Sequence, residues 1–330
     1  MNDKIRHGGD LAAAAADFGS PTDGWLDLST GINPQAYPIG TLSETMWQRL
    51  PTATDATMLV KAARRYYQIP DSAAISIAPG TQAIIQWLPV LRRKGSVHIL
   101  GPTYAEHAHR WRAAGHTVEI VSTIEDADAD VIVLVNPNNP DGRSFEPGTL
   151  LELAARQRQR DGWLIVDEAF ADVTPDTTVV PQSGQPGLIV LRSFGKFFGL
   201  AGLRLGFAIG HTSEINQLAD ALGPWSVAGP ALTLGARALN DTVWHEQTRV
   251  RLHRDAARLD QWLAKHDIEV IGGTNLFRLA AANNAFALYE RLARQGILVR
   301  IFDDHPDWLR FGLPGAAAAW DRLEKALPHP

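Results

Sequence analysis

The sequence predicts an α/β fold, a large domain with a mainly parallel central sheet accompanied by a smaller α+β domain. Three observations carry this. Short apolar, β-branched runs alternate with longer amphipathic stretches from about residue 75 to residue 210. That alternation stops after about residue 220, where a long amphipathic segment leads into short strands. The hydrophobic share of 45% against 20% charged, over 330 residues, suits a globular chain with enough core for two domains. The large domain is expected at 36–222 and the small one at 1–35 together with 223–330.

Element by element, alanine-rich 12–16 is read as a helix face, and Gly31, Pro34 and Pro38 interrupt any regular structure behind it. This punctuation suggests that the N-terminal segment crosses over to pack on the second domain. Strands follow at 75–78, 97–100, 117–121, 131–135, 163–166, 188–191 and 205–209. Between them, 81–93, 104–114 and 147–160 carry apolar residues at helical spacing. A long helix at 241–266, strands near 275–279, 297–300 and 308–311, and a closing helix at 316–326 complete the small domain.

Composition removes several function classes. A net charge of -5 supplies no basic footprint for nucleic acid. With no cysteine there is no disulfide, thiolate metal site or cysteine nucleophile, which fits a reducing compartment. The start, Arg6-His7-Gly8-Gly9-Asp10, does not read as a signal peptide, and no window approaches ~18 apolar residues. A cytoplasmic protein without membrane or nucleic-acid partners is expected. No metal is expected, because His107 and His109 stand at i, i+2 and do not share a helical face. No G-x-G-x-x-G follows a strand with an acidic residue at the distance a nicotinamide site needs.

The run SFGKFFGLAGLRLGF, 193–207, places Lys196 among small and apolar residues after a strand, with Arg204 eight residues on. A lysine amine so placed is a candidate Schiff-base former, and an arginine nearby is suited to the phosphate of the aldehyde it would hold. Together they suggest pyridoxal phosphate. Such a site needs an acid at the pyridine nitrogen, and WLIVDEAF carries Asp167 to a strand end. It needs an anion cradle, and Pro79-Gly80-Thr81-Gln82 lies between a strand and a helix, with Ser193 and Arg204 approaching from the lysine segment. Tyr104 in GPTY is offered for stacking on the ring and Asn139 in NPNNPDG for its phenolic oxygen. Singly, each is an ordinary cap, core tyrosine or turn; all follow strands.

The ordered set PGTQA, GPTY, NPNNPDG, VDEAF, SFGK and GLAGLRLGF resembles fold-type I pyridoxal phosphate enzymes of the class I and II aminotransferase superfamily. The resemblance implies Lys196 as the Schiff-base lysine, Asp167 at the pyridine nitrogen, Asn139 at the phenolic oxygen and Tyr104 over the ring. It places Gly80, Thr81, Gln82, Ser193 and Arg204 at the phosphate, and it implies a homodimer. Lys196, Asp167 and Tyr104 are the expected catalytic residues. Within the superfamily, Arg6-His7-Gly8-Gly9, the run LSTGINP at 28–34 and the phenylalanine ending DEAF make the chain most similar to the threonine-phosphate decarboxylase family of cobalamin biosynthesis.

That family converts L-threonine O-3-phosphate to (R)-1-amino-2-propanol O-2-phosphate and carbon dioxide. Two departures from relatives stand out. Phe170 occupies a position where many aminotransferases have tyrosine, and Leu50 one where histidinol-phosphate aminotransferases carry a tyrosine that reaches the partner's cofactor phosphate. A small phosphorylated amino acid carries two anions, so further cationic anchors are required. Arg310 matches the superfamily's carboxylate-binding arginine. Arg300, Asn33 and His7 are the remaining substrate candidates, with a strand-end surface charge the other reading of Arg300 and a terminal segment that of His7. The competing function is an aminotransferase acting on a phosphorylated substrate such as histidinol phosphate. A non-catalytic binding module is the third reading, which Lys196, Asp167 and Asn139 together oppose.

Overall fold

A computed structural model describes residues 7–327, which divide into two compact units. The large unit comprises 37–139 and 144–245; the small one comprises the residues before 37, 140–143 and the residues from 246 onward. The chain enters through α1 (Leu11–Phe18), capped by the Asp10 carboxylate accepting from Ala13 N–H, and a two-residue strand β1 (Leu26–Asp27). Helix α2 (Thr45–Gln48) precedes α3 (Ala53–Tyr66), which opens on a capping box between Thr52 and Asp55.

The large unit then alternates β2 (Ala74–Ala78), α4 (Thr81–Leu91), β3 (Ser96–Leu100), α5 (Glu106–Ala113), β4 (Thr117–Val121), β5 (Val131–Val135), α6 (Pro147–Gln159), β6 (Trp163–Asp167), β7 (Leu188–Ser193), α7 (Phe194–Phe197) and β8 (Gly206–Gly210). The seven strands form one sheet in the order β2-β8-β7-β6-β5-β3-β4. Only β8 runs against its neighbours β2 and β7. The central strands β5, β6, β7 and β8 are buried along their whole length, which explains why they read as continuous apolar runs. Ile84, Leu88, Trp111 and Ile215 from the flanking helices close on Val97, Ile99, Val133, Ile165 and Leu191 of the sheet.

Two helices end the large unit, α8 (Thr212–Leu222) and α9 (Gly229–Leu239). Its boundary falls at residue 245, later than the 222 expected from sequence. The reason is packing. Helix α9 lies on α3, and a Cβ on Gly235 would stand 2.9 Å from Leu59, so the pair approaches too closely to belong to separate bodies.

The small unit contains most of α10 (Thr242–Lys265), then β9 (Glu269–Thr274), β10 (Phe277–Ala281), α11 (Ala285–Arg294), β11 (Ile297–Leu298), β12 (Arg300–Phe302), β13 (His305–Gly312) and α12 (Ala317–Ala326). Strands β12-β13-β10-β9 form an antiparallel sheet, and β1 pairs in parallel with β11 through Leu26 and Ile297. The N-terminal segment therefore packs on this unit. Strand β9 was not expected from sequence, because its EVIGGT run has little apolar patterning. Its glycine pair instead receives residues 140–143. Gly273 N–H donates to Asp141 O at 2.8 Å, and a Cβ on Gly142 would lie 1.9 Å from Gly273 O.

Candidate active site

Strand β6 delivers Asp167 to the sheet's carboxyl edge, where it is 3% exposed. Its main-chain oxygen accepts from Asn136 N–H at 2.9 Å, stitching it to the end of β5. One carboxylate oxygen, Oδ1, accepts from Ala169 N–H at 3.1 Å, and the other, Oδ2, lies 3.0 Å from Nε2 of His107. An ionised carboxylate only accepts, so this contact places the imidazole proton on Nε2. Sequence reasoning treated His107 only as a poor metal ligand. The signal that points to it is its position three residues after Tyr104, in the segment that enters α5.

Strand register brings together residues expected to form the anion cradle. Ser193 on β7 lies opposite Gly206 on β8, which lies opposite Ala78 on β2, so Ser193 is carried alongside the Pro79-Gly80 turn. Gly80 has φ 85° and a Cβ there would stand 2.5 Å from Arg204 Nη2. The missing side chain is what lets the guanidinium reach the start of α4. No side chain caps that helix, so its first-turn amides, Thr81 and Gln82 among them, face the arginine side with their positive dipole end.

Lys196 lies three residues beyond Ser193, half-buried on the single turn α7, with Nζ 5.6 Å from the centroid of the Phe170 ring. Phe194, Phe197 and Phe198 are fully buried around it; Phe198 stacks on Phe194 at 4.3 Å and on Trp244 at 5.6 Å. This aromatic cluster holds the lysine turn from below. The position occupied by tyrosine in many relatives therefore offers the amine an aromatic face without a hydroxyl.

Tyr104 is partly buried, and its hydroxyl donates to Gln82 Oε1 at 3.1 Å. Burial, followed by the charges of Glu106 and Asp167, pushes that phenol up to about 12. The Gln82 carboxamide nitrogen in turn donates to Glu106 at 2.7 Å, so both ends of this side chain are engaged. Among the three asparagines of NPNNPDG, Asn136 bonds Phe145 and Thr177, and Asn138 bonds Thr103 and Pro102. These two brace the loop. Asn139 ends this stretch of the large unit and is only partly buried. A buried, doubly supported carboxylate, an amine on the turn that follows the adjacent strand β7 and a cradle that one methyl group would fill fit the donor set pyridoxal phosphate requires.

The four substrate candidates all lie in the small unit. Arg310 on β13 is 7% exposed, donates from Nη2 to Ser29 O at 2.7 Å, and is directly opposite Arg300 of β12. Burial, followed by the charge of Arg300, pulls the Arg310 guanidinium down to about 10. Ser29 also accepts Gly9 N–H on its hydroxyl at 2.7 Å, and a Cβ on Gly8 would lie 2.4 Å from its carbonyl. The residues adjoining His7 are thus packed beside the arginine pair, while His7 is exposed. Asn33 is buried, its Oδ1 accepting from Gln35 N–H and from Arg251 Nη2, both at 3.0 Å. Among the described residues, no cluster of three or more histidines and carboxylates is arranged to hold a metal, and no helix is long and apolar enough to cross a membrane.

Residues 41–327 match the family model described as aminotransferase class I and II. The chain is 47% identical to the threonine-phosphate decarboxylase of Pseudomonas aeruginosa over 98% of its length and 97% of that protein's. It is 44% identical to the threonine-phosphate decarboxylase of a Sinorhizobium species over 99% and 98% of the two lengths. The fold is similar to that of histidinol-phosphate aminotransferase from Sinorhizobium meliloti in complex with pyridoxal-5'-phosphate, with a TM-score of 0.83 at 17% identity, covering 98% of this chain and 95% of that one.

Proposed function

The chain belongs to the aminotransferase class I and II family, and from that premise we propose that it decarboxylates L-threonine O-3-phosphate to (R)-1-amino-2-propanol O-2-phosphate in cobalamin biosynthesis. The near-complete overlap with two threonine-phosphate decarboxylases carries this reading. The enzyme depends on pyridoxal phosphate, which when bound supplies the electron sink for the pair released as the bond between Cα and the carboxylate breaks.

The chain's own residues fit the remaining tasks. Lys196 is the amine that would hold the cofactor aldehyde, and the group from which a proton can return to Cα after carbon dioxide leaves. Asp167, supported by Ala169 and His107, would keep a proton on the pyridine nitrogen. Gly80, Thr81, Gln82, Ser193 and Arg204 would hold the cofactor phosphate, with Asn139 donating to the phenolic oxygen. Arg310 and Arg300, side by side on adjacent strands, repel one another until an anion lies between them. A substrate with a carboxylate and a phosphate supplies that charge. We assign Arg310 to the carboxylate, Arg300 and His7 to the substrate phosphate, and Asn33 to substrate binding.

A cytoplasmic homodimer is part of the same proposal. Ile39, Trp47, Leu50, Met58 and Trp225 of the large unit are each more than half exposed. A groove of about 380 Å³ in the same unit is lined by Pro51, Ala56, Ile75, Ile77, Trp225 and Leu232. Large apolar groups left in water on this scale suit a second copy of the chain.

The test is a product assay with phosphothreonine, threonine and histidinol phosphate, each with and without a keto acid. Carbon dioxide from phosphothreonine with no keto acid present is the expected result. Stoichiometric, keto-acid-dependent amine transfer from histidinol phosphate would make the chain an aminotransferase instead.

A further inference from the structure

Three side chains of the stretch Tyr104-Ala105-Glu106-His107 are hydrogen-bonded within the large unit, Tyr104 to Gln82, Glu106 to Gln82 and Arg110, and His107 to Asp167, and of these only Tyr104 and His107 belong to the proposed cofactor site. Glu106 is 6% exposed, and a carboxylate so deeply buried is costly unless its oxygens are used. Its Oε2 accepts from Gln82 Nε2 at 2.7 Å and from Arg110 Nε at 3.0 Å. Arg110 stands one helical turn further along α5 and is itself only partly exposed.

The consequence falls on Gln82. A carboxylate accepts and never donates, so Glu106 selects the carboxamide orientation in which nitrogen faces it and oxygen faces away. That oxygen is the acceptor of the Tyr104 hydroxyl at 3.1 Å. With the amide reversed, the carboxylate would meet a carbonyl oxygen, a repulsive contact in place of a hydrogen bond, and the phenol would have to turn its proton away to accept from the N–H2 group.

We propose that Glu106, held by Arg110, is a positioning residue that acts through the Gln82 carboxamide to fix the rotation of the Tyr104 ring. The relay joins the helix whose first amides form the anion cradle to the aromatic assigned to the cofactor ring. The inference rests on the pyridoxal phosphate site described above. In this proposal Glu106 acts only through Gln82 and makes no contact of its own with cofactor or substrate.

The experiment is titration of the full-length chain with pyridoxal phosphate, followed by visible circular dichroism, together with the melting temperature of the cofactor-free protein. Glu106→Leu and Tyr104→Phe should each weaken cofactor binding about tenfold, the effect of one well-formed hydrogen bond. The double variant should lose no more than either alone, because both cut one path. Glu106→Gln, which keeps a carbonyl acceptor, should return to within about threefold of the parent. Should Glu106→Leu fail to fold, Gln82→Leu interrupts the same path and must likewise be non-additive with Tyr104→Phe.

Unchanged affinity in Glu106→Leu, a double variant whose losses multiply, or a Glu106→Gln no better than Glu106→Leu overturns the inference alone. A parent chain that takes up no pyridoxal phosphate overturns the cofactor reading and the inference with it.

Discussion

Lys196 is surrounded by phenylalanine, with Phe170 beside its amine and Phe194, Phe197 and Phe198 packed under its turn. Replacing it with alanine should lower decarboxylation by roughly a thousandfold or more, and borohydride reduction should then leave no pyridoxyl adduct on the chain. His107 acts one step back. His107→Leu leaves Asp167 Oδ2 buried without its donor, a loss of about 1–3 kcal/mol on a charged group, and should cut kcat roughly 10- to 100-fold, with His107→Gln recovering part. Arg310 carries a different cost, because its guanidinium is charged while buried next to Arg300. Arg310→Met should raise KM for phosphothreonine at least about tenfold, yet leave the melting temperature of the substrate-free protein unchanged or higher. Tyr104, pushed up to about 12, keeps its proton throughout the working range. The pH–rate profile of Tyr104→Phe between about pH 6 and pH 9 should therefore keep the parent's shape even where its amplitude falls.

Helix α4 and strand β8 approach closely at the proposed phosphate cradle, and Gly80 is the residue that permits it. Gly80→Ala would place a methyl group 2.5 Å from Arg204 Nη2 on a backbone with φ 85°. We expect a stability loss of about 1–2 kcal/mol by denaturant unfolding, and weaker pyridoxal phosphate binding because Arg204 must withdraw. A second close approach joins the loop 140–143 to strand β9. Gly142→Ala cannot be accommodated without moving Gly273, and should destabilise by more than Gly80→Ala because the opposing atom is main chain. Both glycines were visible in the sequence as members of PGTQA and NPNNPDG, but nothing in either motif said which neighbour would come close.

The proposed homodimer would cover the exposed apolar groups Trp47, Leu50, Met58 and Trp225. Trp47→Asp with Leu50→Asp should shift the chain from dimer to monomer in sedimentation, with lower activity if the partner completes the site. Much of the architecture was legible along the chain. Strands β4 and β5 fall on the expected residues and the other five of the large sheet within a residue or two: β5 is buried on both faces and so continuously apolar, whereas the mostly exposed edge strand β4 shows as a β-branched run. The order of the motifs was equally legible, since each sits at a strand end and strand ends in this class of sheet share one edge. What the linear pattern did not contain is everything set by contact between distant segments. The large unit runs on to residue 245 because α9 packs on α3; residues 140–143 join the small unit through β9; and His107 reaches Asp167 across 60 positions. Periodicity records which side of an element avoids water, and local motifs record backbone shape; neither records a partner, since a hydrogen bond or a close packing of glycines depends on two surfaces that meet only after the chain has folded.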